Sequence, residues 1–118
     1  MTGAIVPTID ASFQIEKLGE HTVLAARGEI DIAAVPTFRD HLRRLVDDGS
    51  TSIVIDLSDV RFIDSAGLRV LVDGLTRARR RDADMRIACP SASLRRTFEI
   101  SGLDKVMSVH ESLEDATS

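Results

Sequence analysis

The sequence contains no tryptophan and no tyrosine, which limits its ability to bind nucleic acids. Proteins that stack bases need exposed aromatic rings. Here only four phenylalanines are available to supply such rings, and all four fall at positions that we expect to be buried: Phe13, Phe38, Phe62 and Phe98. The formal net charge of −4 at pH 7 also opposes binding to nucleic-acid phosphates. Direct nucleic-acid binding is therefore not expected.

The sequence also lacks the residues of a disulfide framework or a metal site. Cys89 is the only cysteine, so no internal disulfide is possible, and we expect Cys89 to be a small buried hydrophobic residue. The three histidines are scattered, without the carboxylate or cysteine spacing that metal ligands show. The phosphate-binding pattern G-x-x-x-x-G-K-[ST] is missing as well. These absences predict no metal, no cofactor and no nucleotide hydrolysis.

No apolar run is long enough to cross a membrane, so no membrane insertion is expected. The first ten residues lack the basic and apolar stretches of a secretory signal, and the single cysteine fits a reducing compartment. Both observations favour a cytoplasmic protein. Residues 1–11 contain Pro7 and show no sustained period, which predicts a flexible N-terminal tail. The remaining length suits one domain, which we place at residues 12–118.

Hydrophobic periodicity predicts that strands and helices alternate after this tail. Phe13 and Ile15 alternate with polar residues, and a turn at Gly19-Glu20 leads to a second, antiparallel strand over Thr22–Arg27. Further strands are predicted at Ser52–Leu57, Met85–Cys89 and Val106–Val109, with helices that begin near Val35, Ala66, Ser91 and Ser112. Strands separated by helices pair in parallel through right-handed crossovers. The order β-β-α-β-α-β-α-β-α therefore predicts one α/β domain with a mixed, mostly parallel sheet of four or five strands and about four helices.

The most informative segment is Val54–Leu68, which begins as a buried strand and ends where a helix starts. Ser65 falls at that helix start, where backbone N–H groups lack partners and the helix dipole is positive. A phosphate on Ser65 would be tolerated there. It would also lie beside Asp64, and we expect Asp56, Asp59 and Asp31 to be near it as well. Such a site can change its surface charge sharply while the domain stays folded.

The simpler interpretation of these polar residues is local capping. Serine is favoured as a helix N-cap because its side chain accepts a hydrogen bond from a free backbone N–H, and the residues alone favour this role for Ser65. Asp31 is equally well explained as a turn or cap residue before the helix at Val35. Asp64 is explained as a companion cap or a solvated charge. The glycine spacing around Ser65 does not match the G-x-S-x-G pattern of hydrolases, so no catalytic residue is assigned.

Three segments of the chain together resemble one protein family. They are Gly28-Glu29-Ile30-Asp31, Asp56-Leu57-Ser58 leading into Phe62–Leu68, and Phe98–Val106. In this order, over nearly the whole chain, they are similar to the STAS-domain anti-sigma factor antagonists of bacteria. The resemblance implies a STAS domain that binds other proteins and is not an enzyme.

The resemblance also implies a partner-switching mechanism. In that mechanism the unphosphorylated antagonist binds an anti-sigma factor that is also a serine kinase of the GHKL type, which frees a sigma factor for transcription. The kinase then phosphorylates the antagonist and the complex dissociates, until a metal-dependent serine phosphatase restores it. The family's phosphorylated serine follows the aspartate of its Asp-Ser-x-Gly motif, which is Ser65 here. Ala66 stands where relatives carry a second hydroxyl, so Ser65 is the unambiguous phosphorylation site.

The expected partner-binding surface centres on Ser65 and on the loop that carries Asp31. Its members are Asp31, Asp64, Ser65, Ala66, Gly67 and Leu68. A rival from a different class is a STAS accessory subunit of a membrane transporter, or another protein-interaction scaffold. A third interpretation is a small serine hydrolase, which would require His41 or His110 to approach Ser65 in the folded chain.

Overall fold

Residues 11–118 form five strands and four helices, in the predicted order. The computed structural model describes residues 11–118, so the expected N-terminal tail lies outside the described residues, except for Ala11. The elements are β1 (Ser12–Leu18), β2 (His21–Ile30), α1 (Val35–Asp47), β3 (Ser52–Ile63), α2 (Ser65–Arg80), β4 (Asp84–Ala88), α3 (Ala92–Ser101), β5 (Ser108–His110) and α4 (Leu113–Ala116). Two short 3-10 turns, Ile32–Ala34 and Leu103–Lys105, precede α1 and β5.

The strands form one mixed sheet in which their spatial order follows their order in the chain. β1 pairs antiparallel with β2, and β2 to β5 pair in parallel. The predicted mixed, mostly parallel sheet is therefore confirmed. The parallel strands all end at one edge of the sheet, and in open α/β sheets this edge carries the binding residues.

β2 and β3 both extend further than their sequence patterns predict. The predicted ends at Arg27 and Leu57 are wrong, because the strands continue to Ile30 and Ile63. β4 pairs with β3 only as far as Asp56. Beyond that point β2 and β3 form a two-stranded parallel extension of the sheet.

The sequence pattern did not predict the β2–β3 extension, because its side chains do not alternate regularly between buried and exposed positions. The buried positions in this part of β3 are Leu57, Val60 and Ile63, which are three residues apart. A regular strand would bury every second residue. The pairing between β2 and β3 shifts its register twice, after Ala25 and after Gly28. Such irregularities change the direction of side chains, so the two-residue period of a strand is lost from the sequence pattern.

The main core lies between the sheet and the first three helices, and α4 covers part of the opposite face. Phe38 and Phe98 are fully buried, as predicted, and so is Cys89, whose thiol pKa is raised by burial. Phe13 is half-buried and stacks on Phe38 with a ring-centroid distance of 5.2 Å. The expectation of burial is wrong for Phe62, which is 48% exposed. Phe62 pairs with the exposed Glu29 on the β2–β3 extension.

An ion-pair cluster joins α1 to α2 at the end remote from Ser65. Asp47, at the end of α1, accepts hydrogen bonds from two Arg77 nitrogens at 3.1 and 3.3 Å. Arg81 lies 3.6 Å from the same carboxylate. The Arg77 hydrogen bond and charge lower the pKa of Asp47. Arg79 donates a hydrogen bond to the Val106 carbonyl oxygen at 2.6 Å, so the basic run at the end of α2 ties this helix to its neighbours.

Candidate protein-docking and phosphorylation site

Asp31 and Asp64 lie side by side because each follows one of two neighbouring parallel strands. Ile30 and Ile63 are paired residues at the ends of β2 and β3. The Asp64 N–H donates a hydrogen bond to the Ile30 carbonyl oxygen at 3.1 Å. The same dipeptide, Ile-Asp, therefore ends both strands, and the fold brings together two aspartates that are far apart in sequence.

Both aspartates cap the helical segment that follows them. Asp64 is the N-cap of α2, and its Oδ1 accepts a hydrogen bond from the Gly67 N–H at 3.0 Å. Asp31 Oδ1 accepts hydrogen bonds from the N–H groups of Ala33 and Ala34 at 3.0 and 3.3 Å. These carboxylates satisfy donors that would otherwise lack partners, and the positive end of a helix favours their charge.

Ser65 is not the N-cap that the residues alone favour. It is the first residue of α2, one position after the cap, and it is exposed. Asp64 takes the capping role because its backbone is extended, with φ −96° and ψ −177°, as an N-cap requires. The Ser65 hydroxyl is therefore left at the surface, and the capping bond of α2 does not depend on it.

Gly67 allows the first turn of α2 to lie directly on the strand ends. It is buried, and a Cβ at this position would lie 2.7 Å from Ile63 Cγ1 and 3.1 Å from the Ile30 carbonyl oxygen. A larger residue would push α2 away from β2 and β3 and would move Ser65 with it. Gly67 thus sets the position of the site through its contact with the ends of β2 and β3, whereas Ser65 is exposed to solvent.

Apolar side chains are exposed close to both aspartates. Ile32 directly follows Asp31 and is 75% exposed, and the half-exposed Phe62 lies two residues before Asp64. Sequence reasoning missed both residues. No sequence signal sets Ile32 apart, since it lies three residues before Val35, at the spacing of the buried positions of α1.

A groove of about 390 Å³ runs beside Ser65, between α2 and the end of α3. Its lining residues are Ser65, Leu68, Arg69, Val72, Asp73, Ser101 and Leu103. We use the name Ser65 surface for this groove together with Asp31, Ile32, Phe62 and Asp64. The surface combines exposed apolar area with acidic groups, a composition that suits protein binding.

The histidines do not approach Ser65 in a way that would activate it. His41 Nδ1 lies 2.8 Å from the Thr37 carbonyl oxygen, with which it shares a hydrogen bond. His110 Nε2 is buried and has no hydrogen-bond partner. Within the described part of the chain, no group of three or more histidine, cysteine, aspartate or glutamate residues is arranged to hold a metal. No helix among residues 11–118 has both the length and the apolar character needed to cross a membrane.

Comparison with known proteins identifies the family. A family model described as the STAS domain matches residues 12–116. The chain belongs to the STAS domain family. Among curated proteins, the anti-sigma-B factor antagonist of Staphylococcus aureus is 34% identical over 87 residues. That match covers 74% of this chain and 81% of the relative.

Solved STAS structures agree with the fold and with the resemblance. An anti-sigma factor antagonist from Mycobacterium paratuberculosis has a TM-score of 0.81 at 27% identity, covering 95% of this chain and 94% of its own. The Bacillus cell fate determinant SpoIIAA, solved in its phosphorylated form, has a TM-score of 0.69 at 26% identity. That match covers 90% of this chain and 96% of SpoIIAA. The predicted similarity of this STAS protein to anti-sigma factor antagonists is confirmed.

Proposed function

We propose that this STAS protein is an anti-sigma factor antagonist controlled by phosphorylation of Ser65. In its unphosphorylated form it binds an anti-sigma factor that is also a GHKL-type serine kinase, and this binding frees a sigma factor. Phosphorylation ends the interaction, and a metal-dependent serine phosphatase restores it. Sequence and structural similarity to antagonists over most of the chain supports this role. The proposed docking residues are Asp31, Asp64, Ser65, Ala66, Gly67 and Leu68.

The observation that carries the proposal is an exposed hydroxyl at the first position of an already capped helix. Because Asp64 caps α2, phosphorylation of Ser65 removes no bond that the helix needs. Two other serines, Ser58 and Ser91, use their hydroxyl groups in structural hydrogen bonds, whereas Ser93 is exposed on α3. The Ser58 hydroxyl donates to Asp56 Oδ1 at 2.5 Å, and the Ser91 hydroxyl oxygen caps α3.

A phosphate on Ser65 would add about −1.5 to −2 charges at pH 7 to a surface that is already acidic. Among residues 11–118, neither Asp31 nor Asp64 has a lysine or arginine nitrogen within 4.0 Å. With a partner carboxylate about 6 Å away and an effective dielectric near 20, each unit pair repels by roughly 2.8 kcal/mol. Two such charges weaken binding by on the order of a thousandfold or more, before salt screening.

The experiment that tests the proposal is phosphopeptide mapping after incubation with the cognate anti-sigma factor and ATP. We expect one phosphate, on Ser65, and none on the Ser65→Ala variant. That variant should remain bound to the anti-sigma factor when ATP is present. Phosphate on Ser58, Ser91 or Ser93, with Ser65 unmodified, would contradict the proposed site. A folded Ser65→Ala variant that no longer binds would contradict the proposed switch.

A further inference from the structure

An arginine lies one helical turn after Ser65 on α2. Arg69 is exposed, and it lines the same groove as Ser65. Within residues 11–118 no carboxylate oxygen comes within 4.0 Å of the Arg69 guanidinium. Arg77 and Arg79, further along the same helix, are by contrast engaged by Asp47 and by a backbone carbonyl. The structure thus leaves Arg69 available on the Ser65 surface.

The spacing between Ser65 and Arg69 suits a charge pair. Residues four apart on an α-helix are neighbours, with about 5–6 Å between their Cβ atoms. The favourable orientation places the acid four residues before the base, which a phosphate on Ser65 would do. Asp73 lies four residues after Arg69, in the less favourable order, and no such pair forms in this structure. The planar guanidinium can donate two parallel hydrogen bonds to one phosphate.

The charged groups at the strand ends also favour a phosphate that points away from them and towards Arg69. The Gly67 N–H, which would otherwise attract an anion, is already occupied by the Asp64 carboxylate. Asp31, capping the neighbouring helical turn, adds a second negative charge at the strand ends. Both carboxylates repel a phosphate on Ser65. Repulsion from the strand ends and attraction along the helix therefore act together.

We propose that Arg69 binds the phosphate of phosphorylated Ser65 and holds it along α2, over the groove that contains Leu68. This inference rests on the proposed phosphorylation of Ser65 and assigns a positioning residue to it. Phosphorylation then changes the Ser65 surface in two ways. It adds the negative charge of the phosphate, and it withdraws the positive charge of Arg69 from any partner group that Arg69 could otherwise contact.

The test is a pH titration followed by phosphorus NMR on the full chain, with phosphoserine incorporated at position 65 during translation. Pairing with Arg69 favours the phosphate dianion, so Arg69→Ala should raise the apparent second pKa of the phosphate by about 0.2–0.4 unit. Arg69→Gln should give the same rise while keeping an unbranched polar side chain of similar helix propensity. The matched control is Arg80→Ala, which removes the same charge from the same helix. Arg80 lies about 16 Å further along the helix axis than Arg69. It should leave the phosphate pKa unchanged.

An unchanged phosphate pKa in both Arg69 variants would overturn the proposal. An equal rise in Arg80→Ala would also overturn it, because the effect would then come from net charge alone. The titration needs no kinase, so it is separate from the test of the proposed function. If the anti-sigma factor does not phosphorylate Ser65, the proposed function fails, and the titration still decides whether Arg69 binds a phosphate at this position.

Discussion

The carboxylates at the two ends of the α1–α2 helix pair have different partners. At the far end, Arg77 of α2 and Arg81, directly after α2, form ion pairs with Asp47 at the end of α1. At the Ser65 end, Asp31 and Asp64 bind backbone N–H groups of the helix starts. Backbone dipoles stabilise these two negative charges but do not cancel them. The carboxylate at the far end is therefore paired with side chains of the chain itself, whereas those at the Ser65 end keep a net negative charge, as the proposed partner binding requires.

The largest expected effect is at the Ser65 end, on phosphorylation of Ser65. Affinity for the anti-sigma factor should fall by on the order of a thousandfold, because the phosphate adds charge to a surface that already carries two carboxylates. Ser65→Asp adds only one charge and a smaller group, so it should weaken binding less. As a control, Thr76→Asp adds a charge near the far end of α2 and should change affinity little. Binding is measured by calorimetry for all forms.

The local nature of this switch can be checked by comparing amide NMR spectra of the two forms. Because the dipole of α2 accepts a phosphate at its start, we expect shifts confined to the start of α2 and the Asp31 loop. Shifts spread across the sheet would contradict a local mechanism and would indicate a conformational change.

Gly67→Ala should cost about 1–3 kcal/mol of unfolding free energy, because its Cβ would overlap Ile63 and Ile30. The matched variant is Gly74→Ala on the same helix, whose Cβ would lie 2.9 Å from Leu42 Cγ. Both variants should be destabilised in urea unfolding. Only Gly67→Ala should also weaken binding to the anti-sigma factor, because it displaces the Ser65 surface. Equal binding by both variants would mean that Gly67 does not position this surface.

Asp64→Ala should cost about 0.5–2 kcal/mol of stability through loss of the α2 cap. Asp64→Asn should cost less, because asparagine also caps helices. Ser65→Ala should change stability by less than about 0.5 kcal/mol, since the hydroxyl is exposed and is not the cap. Thermal or urea unfolding of the three variants gives the ranking. A larger loss for Ser65→Ala than for Asp64→Ala would show that the hydroxyl does cap α2 in solution.

The smallest expected effect is at the far end, in the pH dependence of the Asp47 cluster. Arg77 lowers the pKa of Asp47 in the folded chain. Asp47 therefore contributes stability above its unfolded pKa of about 3.9, and this contribution is lost as the pH falls through the lower folded value. The stability difference between the native chain and Asp47→Asn should shrink on acidification from neutral pH to below about pH 3. A difference that is independent of pH would contradict the assigned ion pair.

The order of elements could be predicted because the buried residues follow regular periods. In α1, Val35, Phe38 and Leu42 recur at helical spacing, and each is buried. The β2–β3 extension could not be predicted, because its register shifts break the alternation of β3. As a result, the exposed position of Phe62 and the full length of both strands became visible only in three dimensions.

The sequence indicated both aspartates and offered capping as one interpretation of each, but it favoured Ser65 over Asp64 as the N-cap of α2. Aspartate and serine are both good N-caps, so propensity cannot decide between adjacent candidates. The pairing of Ile63 with Ile30 determines which residue is the N-cap. It fixes where β3 ends and makes Asp64 the first residue beyond the strand. Arg69 carries no motif of its own, and its relation to Ser65 depends on the observed start of α2.

The hydrogen bond from Asp64 to the Ile30 carbonyl joins two residues that lie on either side of α1 in the chain. During synthesis, the chain must complete β2, α1 and β3, and align the two strands, before Asp31 and Asp64 become neighbours. A slip of β3 by one residue would turn its side chains to the opposite face. A partner that recognises the paired aspartates together with Ser65 therefore distinguishes a finished molecule from an immature one. Under the proposed function, binding at this site would therefore depend on completed folding as well as on the phosphorylation state of Ser65.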